Sequence, residues 1–412
     1  MTLRVTALDT QRMTRFSRRT AWDQAENALS RRAAALIAEG IQLLDFTASN
    51  PTEAELPYPD QEIRAAVAGP ALLRYAPDPR GSAEARAAVA AHYQRRGAPV
   101  DPARLFLTAS TSEAYGFLFR LLLDPGDTVL APAPSYPLFD LLLDLADAEK
   151  RTYRLRYDGA WYLDKDSLEA GLAAGARLIL LVSPNNPTGT VLSPEERRFL
   201  RERAAFYGAA VISDEVFADF SSPWSEASWI GTQEVLSFSL SGLSKVAGLP
   251  QLKLGWIVPM GPAPLVAEAE RRLELIADTA LSVSRAAEIS APRVLELAEA
   301  WQGSLRERLA HNRAEIQRQI LGTSLSLRPS HGGWSAILDR ARLLDDEAFA
   351  LRLLEADHVL AFPGYFYDIP EEGSLVLSLL LPEVRFAEGL ARVIARAETP
   401  WRPPSAPLTS PR

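Results

Sequence analysis

In SLSGLSKVAGLPQLKLGW, residues 239 to 256, one lysine, Lys245, stands among serines, glycines and an alanine, apart from the charged pattern of the rest of the chain. Small neighbours leave room for a flat molecule to approach the backbone, and a crowded, partly desolvated lysine becomes a usable amine nucleophile. Such an amine can form a Schiff base with an aldehyde. One lysine among serines is a common loop feature, so the weight of this stretch depends on what surrounds it.

Outward from it, strand and helix signals alternate. RLFLTAS (104–110), DTVLAP (127–132), ARLILLVSP (176–184), AAVISDEVF (209–217), VLSFSL (235–240) and KLGWIVP (253–259) read as strands. Helical text separates most of them, including TSEAYGFLFRLLL, PLFDLLLDLAD and SPEERRFLRERAAFYG, the last opened by Ser-Pro and closed at Gly208. The near-continuous apolar run 176–184 suits a parallel strand covered on both faces. This alternation predicts an α/β fold with a large domain over 49–284 built on a mainly parallel sheet of roughly seven strands. Beyond residue 260 one long helical region, 265–320, is expected to bridge to a smaller α+β domain over 285–402. Strands are expected there near GGWSAILD, HVLAF and SLVLSLLL, with a final helix near RFAEGLARVIARA. Residues 1–48 are expected to pack with the small domain. Residues 403–412, rich in proline and serine, read as a disordered tail.

With 412 residues and 47% apolar content, the chain can bury a large core. A net charge of -8 argues against nucleic acid or an anionic membrane as partner. The chain has no cysteine, which excludes disulfides, thiolate catalysis and cysteine-ligated zinc. The four histidines show no metal spacing. The first residues lack an apolar signal core of about 7–15 residues, and no apolar run reaches about 18, so the cytoplasm is the expected compartment.

Four further stretches stand at strand ends. In LTASTSEAY (107–115), Ser110, Thr111 and Ser112 open a helix, either as a plain cap or as a phosphate seat of free N–H groups and hydroxyls. Tyr136, in APAPSYP, is placed either to stack on a flat ring or simply to pack. SPNNPTG (183–189) reads as a tight turn or as a device that aims an asparagine into the crevice beyond the sheet. SDEVF (213–217) sets Asp214 at a strand end, where a half-buried carboxylate needs a cationic partner such as a protonated pyridine nitrogen, or else makes a structural ion pair.

In this order, together with Lys245, these elements resemble the fold-type I aminotransferases, the aspartate aminotransferase-like class I/II family, over about residues 40–397. RYAPDPRGSAEARAAVAAHYQRRG (74–97) matches that family's tyrosine-containing segment, with one extra residue before Gly81. The resemblance implies pyridoxal 5'-phosphate carried as a Schiff base on Lys245, with catalysis by Lys245 and Asp214. It implies Asn186 on the ring oxygen, Asp214 on the pyridine nitrogen, and Tyr136 and Val216 on the two ring faces. Ser110, Thr111, Ser112, Ser244 and Lys253 would surround the phosphate, which Tyr75 of the partner subunit in a homodimer would also reach. Asn50, in the NPT loop (50–52), and Arg80 are candidate substrate residues. The implied reaction moves an amino group between an amino acid or amine and a 2-keto acid.

Three positions depart from the family's pattern. Phe217 stands where a tyrosine usually donates to the cofactor's phenolic oxygen. Lys253 stands where an arginine usually meets the phosphate, keeping the charge without the planar fork. Val376-Leu377-Ser378 stands where an arginine usually clamps the substrate carboxylate. Arg385 reads as a surface residue. The first and third departures keep open a lyase or decarboxylase on the same scaffold. A cofactor-sensing DNA-binding regulator is disfavoured, since only about 45 residues precede the family's core and the charge is acidic.

Overall fold

The computed structural model describes residues 15–22, 26–341 and 345–399, so the tail expected over 403–412 lies outside the described residues. A two-residue strand, β1 (Leu44–Asp45), precedes eight strands of one large sheet. These are β2 (Phe106–Thr108), β3 (Thr128–Ala133), β4 (Glu149–Tyr157), β5 (Trp161–Leu163), β6 (Leu178–Val182), β7 (Ala210–Asp214), β8 (Ser237–Gly242) and β9 (Gly255–Met260). Their spatial order is β2-β9-β8-β7-β6-β3-β4-β5. The central run from β8 to β4 is parallel, whereas β9 lies antiparallel between β8 and β2, and β5 lies antiparallel on β4.

Eight strands instead of roughly seven is one correction to the sequence reading. β4 and β5 form a hairpin across Gly159, whose φ of +107° glycine alone takes easily, and this polar edge carries no long apolar run to announce it. The centre matches its composition: β6, LILLV, is buried at every position, as a strand with both faces covered must be. The helix Pro194–Tyr207 starts with a reciprocal Ser193–Glu196 capping box and ends at left-handed Gly208.

The long helical region expected over 265–320 consists of two helices, Ala263–Asp278 and Arg285–Gln319. The break falls where Leu281 adopts a positive φ of 43° and Ser284 caps the second helix by accepting the Ala287 N–H. Apolar periodicity continues across it, which is why the sequence hides it.

A smaller sheet, β10-β11-β14-β13, is antiparallel throughout; its strands are β10 (Ser326–Leu327), β11 (Ser335–Asp339), β13 (Phe362–Pro363) and β14 (Ser374–Ser378). β12 (Val359–Leu360) pairs in parallel with β1. The helix Ala28–Ala38 packs Leu29 and Leu36 against Ala350 and Leu354 of the helix Asp346–Asp357. The segment 28–45 is thereby attached to the smaller sheet's surroundings. Among the described residues no helix is long and apolar enough to cross a membrane.

Candidate active site

The carboxyl ends of the parallel strands and the smaller sheet enclose a chamber of about 570 Å³. Ligand sites in open α/β sheets lie in such crevices. Lys245 enters it from the short helix Leu243–Val246, immediately after β8. Gly242, at the end of β8, makes the approach possible: a Cβ there would stand 2.9 Å from the Leu254 carbonyl oxygen. The Lys245 ammonium donates to the Ser49 carbonyl at 3.4 Å. It also lies 4.7 Å from the centre of the Trp334 ring and 5.7 Å from that of Phe217. Burial pushes its pKa down to about 8, with the Asp214 charge pulling the other way. The amine is therefore held close to neutrality, where it can act as nucleophile and base.

Asp214 ends β7 and faces the same chamber. Its carboxylate accepts the Tyr115 hydroxyl at 3.0 Å and the Val216 N–H at 3.2 Å. Burial pushes its pKa up to about 6, against the pull of those two donors and of Lys245. Its neighbour Glu215 points to the other face of the sheet, where it accepts the Ser228 hydroxyl at 2.9 Å and the Trp229 N–H at 2.7 Å. Strand alternation thus gives two adjacent carboxylates separate environments, and only Asp214 reaches the chamber.

The doubled asparagine divides in the same way. Asn185 is buried and structural, donating to the Pro134 carbonyl at 3.0 Å and to the Thr188 hydroxyl at 2.9 Å. Asn186 lines the chamber, and its side-chain oxygen accepts the Ser335 hydroxyl at 3.4 Å. Thr111, Ser112 and Ser244 also line it, as do Tyr136, Val216 and Phe217. Gly255 brings β9 beneath the start of the helix Thr111–Leu122, for a Cβ there would lie 3.0 Å from the Ser110 carbonyl carbon and 3.1 Å from the Thr111 nitrogen.

Five predicted residues stand elsewhere. The Ser110 side chain serves as the plain cap, accepting the Glu113 N–H at 3.1 Å. Lys253 is exposed, with a left-handed backbone (φ 52°), and it is the next residue, Leu254, that reaches the chamber. Asn50 folds back on its own turn, accepting the Thr52 N–H at 3.1 Å and donating to Glu53 at 2.8 Å, and it is the preceding Ser49 that touches Lys245. Arg80 does not reach the chamber: it donates to Glu274 at 2.8–2.9 Å and to the Ala103 carbonyl at 2.7 Å, with its guanidinium over the Phe106 ring. Tyr75 is 83% exposed, in a surface hollow with Arg74 and Arg285 outside the chamber.

Val376 lines the chamber and is 2% exposed. It sits on β14 opposite Phe362 on one side and Ile337 on the other. Ser378 shares its face of the strand, and Phe366 stacks on Phe362 with ring centres 5.1 Å apart. Among the described residues, the charged side chains lining the chamber are Lys245 and Asp214 alone. Arg385 is outside, donating to the Leu43 carbonyl at 3.2 Å.

Sequence reasoning missed Tyr115, whose only advance signal is its position four residues after Thr111, on the same face of the helix. It also missed Ser49 and Ser335, which reach the site from distant loops and strands.

These residues fit pyridoxal 5'-phosphate. A lysine amine near neutrality and a buried carboxylate share one chamber with flat walls and a helix start bearing two hydroxyls. Fold and site together define a pyridoxal-phosphate-dependent enzyme of fold type I. The chain belongs to the aminotransferase class I and II family, whose profile matches residues 41–388. It is 26% identical over 347 residues to the glutamate–pyruvate aminotransferase AlaA of Escherichia coli K12, covering 81% of this chain and 84% of that one. It is 29% identical over 322 residues to the probable N-succinyldiaminopimelate aminotransferase DapC of Mycobacterium tuberculosis, covering 76% and 79%. The solved alanine aminotransferase of Pyrococcus furiosus superposes with a TM-score of 0.82 at 23% identity, over 92% of this chain and 99% of that one, which bears on the fold. The protein is accordingly an aminotransferase rather than a lyase or decarboxylase.

Proposed function

We propose that Lys245 is the residue that carries the cofactor and moves the proton in this aminotransferase, and that Asp214 is its electrostatic counterpart. The observation that carries this reading is the shared chamber, in which burial pulls the lysine down to about 8 and lifts the aspartate to about 6. Bound there, pyridoxal 5'-phosphate supplies an aldehyde for the amino group and a ring that draws electrons from the substrate carbon. Asp214, oriented by Tyr115 and the Val216 N–H, would keep the ring nitrogen protonated. Lys245 is the base of the site: its amine would hold and move the proton at the substrate carbon. Asn186 would meet the ring oxygen, Tyr136 and Val216 would pack against the ring faces, and Thr111, Ser112 and Ser244 would hold the phosphate.

The donor is an amino acid or amine and the acceptor a 2-keto acid. The working unit is a homodimer in the cytoplasm, divided into a large domain over 49–284 and a small one over 285–402. Tyr75 of the partner subunit completes the phosphate site; the exposure of this large ring in the single chain supports that placement. Borohydride reduction of the holoenzyme followed by peptide mapping is expected to find the cofactor on Lys245. A reduced protein labelled at another lysine, or at none, overturns the assignment.

A further inference from the structure

We infer that Gln302 is a positioning residue of the aminotransferase site: its amide ties the turn that bears Lys245 to the turn that follows Asp214, and so fixes where the lysine amine stands. This rests on the reading of Lys245 as the cofactor lysine and adds a residue that acts through it. Gln302 lies on the helix Arg285–Gln319, fully buried and outside the chamber. Its Nε2 donates to the Val246 carbonyl at 2.7 Å and to the Asp219 carboxylate at 3.1 Å. Its Oε1 accepts from Arg96 at 2.9 Å and from Arg306 at 3.0 Å. Both protons and both lone pairs of the amide are thus used. Reversing it would set N–H groups against guanidiniums, so one orientation alone satisfies the network.

The two atoms that meet Nε2 belong to the two turns that carry the chemistry. Val246 directly follows Lys245 and ends the short helix Leu243–Val246, where a last-turn carbonyl has no partner within the helix. Asp219 lies in the turn Ala218–Phe220, two residues past Phe217, whose ring centre stands 5.7 Å from the Lys245 ammonium. Among the described residues, two side chains donate to carbonyls of the lysine turn 243–249: Gln302, and Tyr58, whose hydroxyl meets the Gly248 carbonyl at 2.7 Å. Trp301, the neighbour of Gln302, stacks on Tyr58 with ring centres 5.9 Å apart and closes the space over Gly248, where a Cβ would run into its ring. Asp219 is itself held by Arg96, with the His92 Nε2 3.5 Å away. The lysine turn is therefore braced against a buried network, and a turn released from it would let the amine swing toward water.

The test is competitive acetylation of the full-length apoprotein across pH, with trace acetic anhydride and mass-spectrometric reading of the Lys245 peptide. Burial holds the wild-type amine at about 8. In Gln302→Met the released turn gains hydration, and the labelling midpoint is expected to rise by about half a unit or more toward the ordinary 10.5. Gln302→Glu keeps the shape and the arginine contacts, loses the donor to Val246, and is expected to move the same way; either variant suffices if the other does not fold. Arg306→Met weakens the network on the side away from the lysine turn, and is expected to lower the melting temperature while leaving the midpoint in place. In single turnovers of the holoenzyme, both Gln302 variants are expected to lose about tenfold or more in rate constant, with alanine and with glutamate alike. A folded Gln302 variant with the wild-type midpoint or the wild-type rate constant, or an Arg306→Met protein whose midpoint shifts as far, overturns the inference. If borohydride mapping puts the cofactor on another lysine, the reading of Lys245 fails instead, and the labelling midpoint still decides whether Gln302 holds this turn.

Discussion

At the ends of β6, β7 and β8 the chamber presents Asn186, Asp214 and Lys245, while across from them β13 and β14 present Phe362 and Val376. On the first side, Asp214 and Lys245 are groups whose protonation is set by burial and by each other. The second is made of carbon surfaces whose effect is set by shape. In the proposed assignment the first side carries the chemistry, and the second bounds the space that a substrate enters. A chain that keeps the first and rebuilds the second retains the reaction while changing the substrate, as expected of a site grafted on a widely used fold.

The sharpest way to break this division is Asp214→Asn. With the cofactor bound, the half-reaction rate is expected to fall by about 10²- to 10³-fold, for every donor alike, because the loss is chemical and not selective. In the apoprotein the sign reverses. A buried aspartic acid raised from 3.8 to about 6 destabilises the fold once it is ionised, by about 2–3 kcal/mol, since each pH unit of displacement is worth about 1.4 kcal/mol. That penalty is absent below pH ~4, grows as pH rises through 6, and is full above it. Apo Asp214→Asn is therefore expected to melt higher than apo wild type at pH 7.5 and equally at pH 4. Thermal melts at the two pH values that show no such difference would contradict the assigned burial of this carboxylate.

Tyr115→Phe sharpens the same side. Removing a donor from the charged form lets Asp214 keep its proton to higher pH. The acid limb of cofactor binding to the apoprotein is expected to move up by about one pH unit, the size of one charge-assisted hydrogen bond. A merely structural role for Tyr115 would lower stability and leave that midpoint in place. Phe217→Tyr probes the seam between the two sides, because Phe217 touches both Lys245 and Trp334. A hydroxyl there is expected to lower the pH at which the Lys245-bound cofactor changes colour, by about half a unit. A spectral titration with the order reversed removes Phe217 from the cofactor's surroundings.

The legible part of this molecule is the text that follows each parallel strand. Asp214, Asn186 and Lys245 each stand within a few residues of a strand end, so a buried apolar run locates them and the fold gathers them. What remained hidden depends on contacts between distant segments. Ser49 and Tyr115 meet Lys245 and Asp214 across 196 and 99 residues of chain. Arg80 looked available because its acidic partners Glu270 and Glu274 lie on a helix almost two hundred residues later. Ser110 was readable as a cap from local chemistry alone, and the structure gives it that use, whereas Asn50, expected near the substrate, caps its own turn. β5 escaped because a three-residue edge strand, Trp161-Tyr162-Leu163, is too short to leave a periodic trace.

β1 hydrogen-bonds to β12, and the Phe46 carbonyl accepts the Ser378 N–H at 2.7 Å. The segment that brings Ser49 to the lysine is thereby stitched to the strand that bears Val376, although more than three hundred residues separate them in the chain. Ceiling and sidewall of the cavity are thus hydrogen-bonded to one another. A shift of β14 would therefore carry the Ser49 carbonyl with it, so the wall at Val376 and the contact to the Lys245 amine are displaced together.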